Sequence, residues 1–593
     1  MKKQKINFGY FKKDLYRALR LILRASPRTA LLNTFILFFQ ALLPALSLYV
    51  LRLLIEMVVQ EPKPAFDKIV PVIIAFSAVQ LLMALAGQFA TYIATIYQQK
   101  LTDYMSAMVL DKAVSVDLEY YENPVYHDTL HLAQQQSVFR ASQLLSNFNA
   151  LLLNSLSLLF LTGLFITLHW VYAAIFVGLS LPLAAVKWYY AHQLYKLEAK
   201  FVAMEREANY LHQTLTGVSY AKEVRTFGFG SSFIRKFRAI RSVIYKGKKD
   251  MNARLTLHSL LAETAEIIIV AVIFAMLAKN TWAGVISAGV FVVYLQGFQR
   301  LQGAAKSFLQ SLVQVFQQRL FLRDLFGFLD IPAYRASAPE LTFPDSQQGL
   351  FIENMSFTYP GTASAVLDHV SVRCRPGNMI AIVGENGSGK STLVKLLARL
   401  YHTQQGTIRI DDTPIEEIAT ESFREHTVFL FQDFEKYFLT VEENIELGST
   451  RAKEQHEIEQ AARLSGAHSF ISRLAGGYQT RLGRTFKHST QLSGGQWQKL
   501  ALARVFYSKA QLVVLDEPTS AIDAIAEHEL FVHLKQLARE KMVVLISHRL
   551  YNIKLADYIY VMQEGKIAEE GNFNTLINHN GLFKKMYDRQ KLD

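Results

Sequence analysis

The chain has 593 residues, of which 51% are hydrophobic, and a formal net charge of +13. This length exceeds one domain. Its basic residues cluster beside apolar runs, which favours membrane orientation and argues against a nucleic-acid partner. The only cysteine, Cys374, excludes an internal disulfide and a cysteine-rich metal site. Because no histidine suggestive of a protease dyad lies near Cys374, we expect no built-in peptidase.

Residues 1–28 predict a helix that lies in the cytoplasmic interface of a membrane. Lys and Arg alternate there with apolar residues at helical spacing, namely Leu15, Leu19, Ile22 and Leu23. A solvated basic tail and an organelle transit peptide are the alternative interpretations. A signal peptide is not expected, since Arg17, Arg20 and Arg24 interrupt the apolar stretch and no small-residue cleavage site follows.

Residues 29–332 predict an all-α transmembrane domain with six spans. A span needs about 20 apolar residues, and 46 residues from Ala141 to Val186 contain no Asp, Glu, Lys or Arg. This stretch is too long for one span, and we expect His169-Trp170 to form an interfacial turn between two. The other apolar runs are Thr29–Leu51, Ile69–Gln99, Ile267–Ala278 and Trp282–Gln299.

The distribution of charge between the loops predicts the orientation. The N-terminal segment and residues 187–254 are rich in Lys and Arg, whereas the turns near 60–68, 169–171 and 279–281 hold few. The positive-inside rule places the basic side in the cytoplasm, so both termini are predicted to be cytoplasmic. The long connections at 100–140 and 187–255 have helical periodicity, as if the spans continued below the membrane.

Two acidic residues, Glu263 and Glu266, lie at the start of the fifth predicted span, on one helix face. A carboxylate inside a bilayer is costly and usually faces a cavity or a partner. One interpretation is a cation-attracting position on a transport path. The other is a position at the cytoplasmic edge or in packed protein.

A segment rich in Pro, Ser and Ala, residues 333–349, predicts a linker to a second domain at 350–593. That domain contains GENGSGKST, which follows an apolar strand and precedes an amphipathic helix. Such a loop surrounds phosphate oxygens with backbone N–H groups, and the helix N-terminus adds a favourable dipole. Lys390 is predicted to reach the β- and γ-phosphates, and Ser391 to bind Mg²⁺.

Two later strands of this domain end in polar residues. LVVLDE ends at Asp516 and Glu517, which predicts a metal-linked aspartate beside a general base that polarises the attacking water. VVLISH ends near His548, and spacing alone leaves a structural and a catalytic role for His548 equally open.

In this order, GENGSGKST, LSGGQ, LVVLDE and ISH resemble the ATP-binding cassette (ABC) exporters of the half-transporter type, and the resemblance covers nearly the whole chain. It implies a six-helix transmembrane domain followed by an α/β P-loop nucleotide-binding domain. It also answers why LSGGQ contains no catalytic side chain: in this family the segment closes over the ATP of a second subunit. The resemblance thus implies a dimer, here a homodimer, with two ATP and Mg²⁺ at its interface, although a heterodimer with a similar half stays open.

The resemblance carries further residues by motif. Tyr359 is similar to the aromatic that stacks on adenine, Gln432 to the glutamine that contacts Mg²⁺ and water, and Asp523 to an aspartate of the loop that crosses the dimer interface. Glu517, His548 and Gln432 are the implied catalytic group, and Ser391, Gln432 and Asp516 the implied metal ligands. The implied nucleotide-binding residues also include Gly384, Asn386, Gly387, Ser388, Gly389, Lys390, Thr392, Ser493, Gly494, Gly495 and Gln496.

Residues 117–133 and 215–229 resemble the family's two coupling elements, which connect the nucleotide domains to the membrane helices. A plain helical turn in a cytoplasmic loop is the alternative interpretation. In the family, the second element generally reaches the partner subunit's nucleotide domain.

Three strings, YYENPVYHD, FQDFEKYFLTVEENI and LSGGQWQKLALAR, resemble the bacterial exporters of lanthipeptides and related bacteriocins that lack a peptidase domain. This implies a multi-pass protein of the bacterial cytoplasmic membrane that exports a peptide or small amphipath. A lipid or lipid-linked glycan flippase of the same fold is the alternative, because fold does not name the cargo. A non-transport ABC ATPase is excluded, since it would have no spans.

Overall fold

The computed structural model describes residues 8–59, 65–122, 124–332, 341–362, 364–450, 454–519, 522 and 524–592. The chain divides into two compact units. Unit 1 comprises Met1–Val114 and Pro124–Ile331, and unit 2 comprises Ser115–Asn123 and Pro332–Asp593. A short part of the long predicted connection at 100–140 therefore belongs to unit 2.

Unit 1 is helical throughout its described secondary structure. Its helices are α1 (Phe8–Ala25), α2 (Pro27–Val59), α3 (Phe66–Val114), α5 (Pro124–Thr216), α6 (Ala221–Thr226), α7 (Gly230–Trp282), α8 (Ala288–Gln317) and α9 (Arg319–Leu329). Among the residues that the structure describes, four stretches are long and apolar enough to cross a membrane, namely Pro27–Val59, Phe66–Val114, Ser142–Ile166 and Gly230–Trp282. The sixth predicted span falls on α8, whose polar residues set it apart from these four.

The predicted turn at His169-Trp170 is absent from the secondary structure, because α5 continues as helix through both residues. No Gly or Pro lies at this point to interrupt the backbone, and Pro182 is the only proline inside the helix. The later predicted turn is confirmed within a few residues. Here α7 ends at Trp282, and Gly284 adopts φ +74° before α8 begins.

The N-terminal segment forms α1, which packs on its own unit and is therefore not a free basic tail. Ala18 and Ile22 are buried, and the Tyr97 hydroxyl donates a hydrogen bond to the Ile22 carbonyl at 2.6 Å. Arg17 donates two hydrogen bonds of 2.7 Å to the carboxylate of Asp330, just beyond α9. Leu19 remains exposed, so an interfacial position for this face stays a prediction.

Unit 2 is an α/β unit with two sheets. Its helices are α4 (Leu118–Glu122), α10 (Lys390–Leu397), α11 (Thr420–His426), α12 (Val441–Glu446), α13 (Gln455–Leu464), α14 (His468–Ile471), α15 (Gly494–Tyr507), α16 (Ala524–Ala538), α17 (Phe573–Asn578) and α18 (Leu582–Leu592). Its strands are β1 (Leu350–Phe357), β2 (Leu367–Cys374), β3 (Met379–Gly384), β4 (Gln405–Ile410), β5 (Thr413–Pro414), β6 (Thr427–Leu430), β7 (Leu512–Asp516), β8 (Met542–Ile546), β9 (Tyr558–Gln563) and β10 (Lys566–Gly571).

The larger sheet positions the site. Its order is β10-β9-β3-β8-β7-β6, and every neighbouring pair from β9 to β6 is parallel. Strands β3, β7 and β8 are buried along their whole length, as expected for apolar strands covered on both faces. Parallel strands end at the same edge, which brings the residues after β3, β6, β7 and β8 together.

The second half of the predicted linker packs within unit 2. Phe343 is buried, and the backbone N–H groups of Gln347, Gln348 and Gly349 donate hydrogen bonds of 2.7–2.9 Å to the carboxylate of Asp411. Burial raises the pKa of Asp411, but these donors outweigh that effect and hold the pKa below its usual value. Residues 333–340 lie outside the described part of the chain.

Candidate functional site: a phosphate loop with a clamped glutamate

The loop between β3 and α10 has the conformation that phosphate binding requires. Gly389 adopts φ +102°, and a Cβ there would lie 2.7 Å from a side-chain carbon of Leu367 and 2.9 Å from the Val366 carbonyl oxygen. Only glycine fits this position. Asn386 and Gly387 are exposed on the loop, whereas Ser388 is buried behind it.

Lys390 is almost fully buried at the start of α10, and its ammonium group is held by the loop itself. Its Nζ donates hydrogen bonds to the carbonyls of Gly384 at 2.9 Å and Glu385 at 2.8 Å. Burial lowers the pKa of Lys390, although the nearby acids Glu517 and Asp516 oppose this effect. The ammonium therefore lies within the loop, surrounded by its carbonyls. A phosphate bound in the loop would stabilise the charge of this buried group.

Asp516 ends β7 and is 4% exposed. Burial raises its pKa to about 6, while a hydrogen bond with the Ser391 side chain acts in the opposite direction. A buried carboxylate beside a hydroxyl matches the oxygen ligands that Mg²⁺ prefers. The structure therefore brings two of the three predicted metal ligands into contact.

Glu517 follows Asp516 and is held on both sides. Its Oε2 accepts a hydrogen bond of 2.8 Å from Nε2 of Gln432, and its Oε1 lies 2.8 Å from Nδ1 of His548. The backbone has φ +48°, a strained value for a residue with a side chain, and the Glu517 N–H donates to the Ile546 carbonyl at 3.0 Å. All three predicted catalytic residues are thus in direct contact, including His548, whose role spacing left open.

The predicted adenine-stacking residue, Tyr359, lies next to the phosphate loop. Its hydroxyl is 3.0 Å from Oγ1 of Thr392, and its ring packs edge-on against the ring of Tyr401 at 5.3 Å. An aromatic ring in this position can offer a face to a base while its hydroxyl is fixed by the nucleotide-binding helix.

The LSGGQ segment forms a capped helix start. The Ser493 hydroxyl accepts a hydrogen bond from the Gln496 N–H, and the Gln496 side chain accepts one from the Ser493 N–H. This capping box fixes the first turn of α15, which holds Gly494 and Gly495. The predicted nucleotide-binding role of Gln496 stays a prediction; in this structure its side-chain oxygen accepts a hydrogen bond from the backbone N–H of Ser493.

The residues next to the LSGGQ segment and those that follow the phosphate loop pack in different hydrophobic clusters. Leu492 and Trp497 belong to a cluster with α13, whereas Leu393 and Val394 of α10 belong to the sheet core. Among the described residues, no hydrogen bond or ion pair joins Ser493–Gln496 to residues 384–392. Asp523, the predicted interface aspartate, lies outside the described residues.

One contact of the site was not predicted. Glu122, the last residue of α4, accepts a hydrogen bond of 2.8 Å from Lys395 of α10 and another from the Tyr401 hydroxyl. Burial raises the pKa of Glu122, but these two donors outweigh it and lower the pKa overall. The resemblance pointed to residues 117–133 as a coupling element, yet nothing in the string distinguished Glu122 from Glu119.

Comparisons with known proteins agree with this geometry. Residues 367–520 match the family model described as ABC transporter. An ATP-dependent lipid A-core flippase of Pseudomonas fluorescens is 32% identical over 73% of this chain and 70% of its own. The apolar helices and the phosphate site define a membrane-embedded ATPase of the exporter class, and the chain belongs to the ABC transporter family.

Two other relatives cover more of the chain. The subtilin transport ATP-binding protein SpaT of Bacillus subtilis is 28% identical over 92% of this chain and 89% of its own. The nisin transport ATP-binding protein NisT of Lactococcus lactis subsp. lactis is 28% identical over 98% and 96%. The chain is therefore an ABC exporter with fused membrane and nucleotide-binding regions, and it binds and hydrolyses ATP.

Proposed function

We propose that the chain works as a homodimer that exports a peptide or small amphipath from the cytoplasm, powered by two ATP molecules bound between the subunits. The observation that carries this proposal is the isolation of Ser493 from the phosphate loop of its own chain. A capped helix N-terminus with an exposed serine is a ready donor for phosphate, and a second copy would place it there.

The apolar surface of each unit supports the same arrangement. Near α6 in unit 1, Val218 is 83% and Phe227 is 73% exposed. Unit 2 contains a cavity of about 480 Å³ whose wall includes Phe429, Phe434 and Leu447. We assign the 215–229 segment of one copy to this cavity of the other, as the second coupling element.

In the proposed reaction Glu517 accepts a proton from the attacking water, while Gln432 and His548 hold its carboxylate in place. Lys390 stabilises the charge of the β- and γ-phosphates. Ser391, Asp516 and the amide oxygen of Gln432 would hold Mg²⁺, which supplies charge stabilisation to the phosphates when bound.

A subunit-mixing experiment tests the composite site. One subunit carries Ser493→Arg and the other Lys390→Ala, and each variant alone is expected to be inactive. If signature and phosphate loop come from different chains, the mixed dimer retains one intact site and regains ATPase activity. If each chain completes its own site, no mixture recovers activity, and the proposed dimer is wrong.

The cargo is tested by ATPase stimulation in nanodiscs, with Glu517→Gln as background. Saturable stimulation by cationic amphipathic peptides alone supports peptide export, for which the subtilin and nisin transport proteins are the relevant relatives. Stimulation by phospholipids or lipid-linked glycans alone supports a flippase, the second candidate, which the lipid A-core flippase relative favours.

We further propose that the protein lies in the bacterial cytoplasmic membrane, with both termini in the cytoplasm.

A further inference from the structure

Unit 1 contains a cavity of about 470 Å³ between α5, α7 and α8. This is the size of a small-ligand site. Polar side chains from α7 and α8 contribute to its wall, together with Lys187 and Tyr190 of α5. The polar members from α7 and α8 are Asn252, Thr256, Ser259, Glu263 and Gln310.

The polar wall is part of a longer pattern. On α7, polar residues recur every three or four positions at 252, 256, 259, 263 and 266, and on α8 at 299, 302, 306 and 310. This spacing puts each set on one face of its helix. The two faces meet where Gln302 donates a hydrogen bond of 2.6 Å to Glu266.

We call the contact between these two polar helix faces the polar seam. Its charged side chains do not all have close partners of opposite charge. Lys306 lies between two carboxylates, with its Nζ 3.5 Å from Oε1 of Glu263 and 3.7 Å from Oε2 of Glu266. Glu266 is 3% exposed, and its Oε2 has no hydrogen-bond partner among the residues that the structure describes. A single ammonium shared at these distances leaves carboxylate oxygens that can accept another donor.

Glu263 is the carboxylate at the cavity wall, and its side chain is 39% exposed. Within the described residues its polar contact is the loose ion pair with Lys306. Lys187, the basic residue of the wall, suits carbonyl oxygens, as do the amides of Asn252 and Gln310. Acid, base and amides together match a lysine side chain and its peptide backbone better than a simple anion.

We propose that this cavity is a cargo subsite in which Glu263 binds a primary ammonium group of a peptide, with Glu266 and Lys306 positioning its carboxylate. The inference rests on the proposed peptide export and names the chemistry that export would select. It explains the polar seam beside the apolar part of α7, where buried carboxylates are otherwise costly.

The test uses a cysteine reporter in the full-length protein in nanodiscs. The single native thiol, Cys374, is fully buried and contributes little background. Ser259→Cys places a thiol on the cavity wall, and Thr256→Cys gives a second reporter if the first variant folds poorly. The measured quantity is the labelling rate with 2-aminoethyl methanethiosulfonate divided by the rate with the anionic sulfonatoethyl reagent, relative to free cysteine.

We expect this ratio to favour the cationic reagent by about fivefold and Glu263→Gln to remove the preference. Glu207→Gln is the matched control, because Glu207 is an exposed acid paired with Lys236 elsewhere in unit 1. A ratio that Glu263→Gln leaves unchanged, or that Glu207→Gln changes equally, overturns the proposal.

Protection from labelling identifies the ligand. An amphipathic peptide of leucine and lysine is expected to slow labelling, whereas the same peptide with acetylated lysines is not. Equal protection by both, or protection by phosphatidylethanolamine in the nanodisc but not by peptide, overturns the assignment. If the peptide stimulates ATP hydrolysis without protecting the thiol, this inference fails and the proposed export stands. If it does neither, both fail.

Discussion

Two glutamates with similar neighbours, Glu517 in unit 2 and Glu266 in unit 1, show how differently the two units hold a carboxylate. Each accepts a hydrogen bond from a glutamine amide, at 2.8 Å and 2.6 Å respectively, and each lies beside a basic residue. The basic nitrogen is at 2.8 Å from Glu517 but at 3.7 Å from Glu266.

The difference follows from how the partners are supplied. Around Glu517, three parallel strands end at one edge, so residues distant in sequence converge with little freedom. Around Glu266, partners come from side chains on two helix faces, and Lys306 is shared with a second acid. The first arrangement suits one fixed reaction, and the second leaves room for a ligand.

The largest effect is expected from Glu517→Gln, which removes the proposed general base while keeping the shape of the side chain. We expect ATP hydrolysis to fall by about 100- to 10 000-fold, with ATP still bound and the fold intact. Phosphate release and retention of labelled ATP measure the two properties. Glu540→Gln, an exposed acid of unit 2, is the control, and near-normal hydrolysis in Glu517→Gln would remove Glu517 from its assigned role.

Lys306→Met tests the carboxylates of unit 1, because it leaves Glu263 and Glu266 without their shared cation. Breaking a buried pair is costly, but Lys306 is 28% exposed, so we expect a loss of about 2 kcal/mol in unit 1. Thermal unfolding in nanodiscs is the measurement. Lys279→Met removes an exposed lysine near the end of α7 and should change the unfolding temperature little. Equal effects of the two variants would show that the ion pairs of Lys306 do not stabilise unit 1.

Asp411→Asn extends the comparison to a carboxylate that accepts hydrogen bonds from three backbone N–H groups and from the Ser346 hydroxyl. We expect hydrogen exchange of the Gln347–Gly349 amides to speed up about fivefold, equivalent to about 1 kcal/mol. Because the folded-state pKa of Asp411 is lowered, its stabilisation is present above the usual carboxyl pKa and is lost as pH falls through the folded value. Asp412→Asn, whose side chain is 89% exposed, should alter neither the exchange nor its pH dependence.

The smallest effect is expected from Glu122→Gln. The amide can still accept from Tyr401, but it loses the charge that pairs with Lys395. Because Glu122 is 41% exposed, we expect only about a twofold loss of cargo-stimulated ATPase activity. Glu119→Gln on the same short helix is the matched control. An unchanged ratio of stimulated to basal activity would deny Glu122 a part in coupling.

Much of unit 2 could be predicted from the sequence, because its chemistry depends on short strings. GENGSGKST specifies a strand, a loop and a helix within nine residues, and LVVLDE places two acids at a strand end. Local backbone rules decide such elements, and Gly389 confirms them through its positive φ. The α/β fold and the contact between Ser391 and Asp516 therefore followed from sequence.

The membrane unit was less predictable. Apolar content agrees with the four described stretches that are long and apolar enough to cross a membrane. The predicted break at His169-Trp170 was wrong, because composition does not reveal whether a helix continues between two apolar stretches. The sequence also left open whether Glu263 and Glu266 lie on a transport path or in packed protein, because that depends on which helices surround them. Glu266 is buried, whereas Glu263 lines a cavity.

By itself, the sequence determined that this protein is an ATPase attached to apolar helices, since the glycines and lysine of a phosphate loop and the acids at strand ends have local physical requirements. Only the tertiary structure decided which distant groups meet: His548 with Glu517, Glu122 with Lys395, and Lys306 with two carboxylates. Such contacts depend on how strands and helices that are distant in sequence pack together, and local spacing carries no information about that packing.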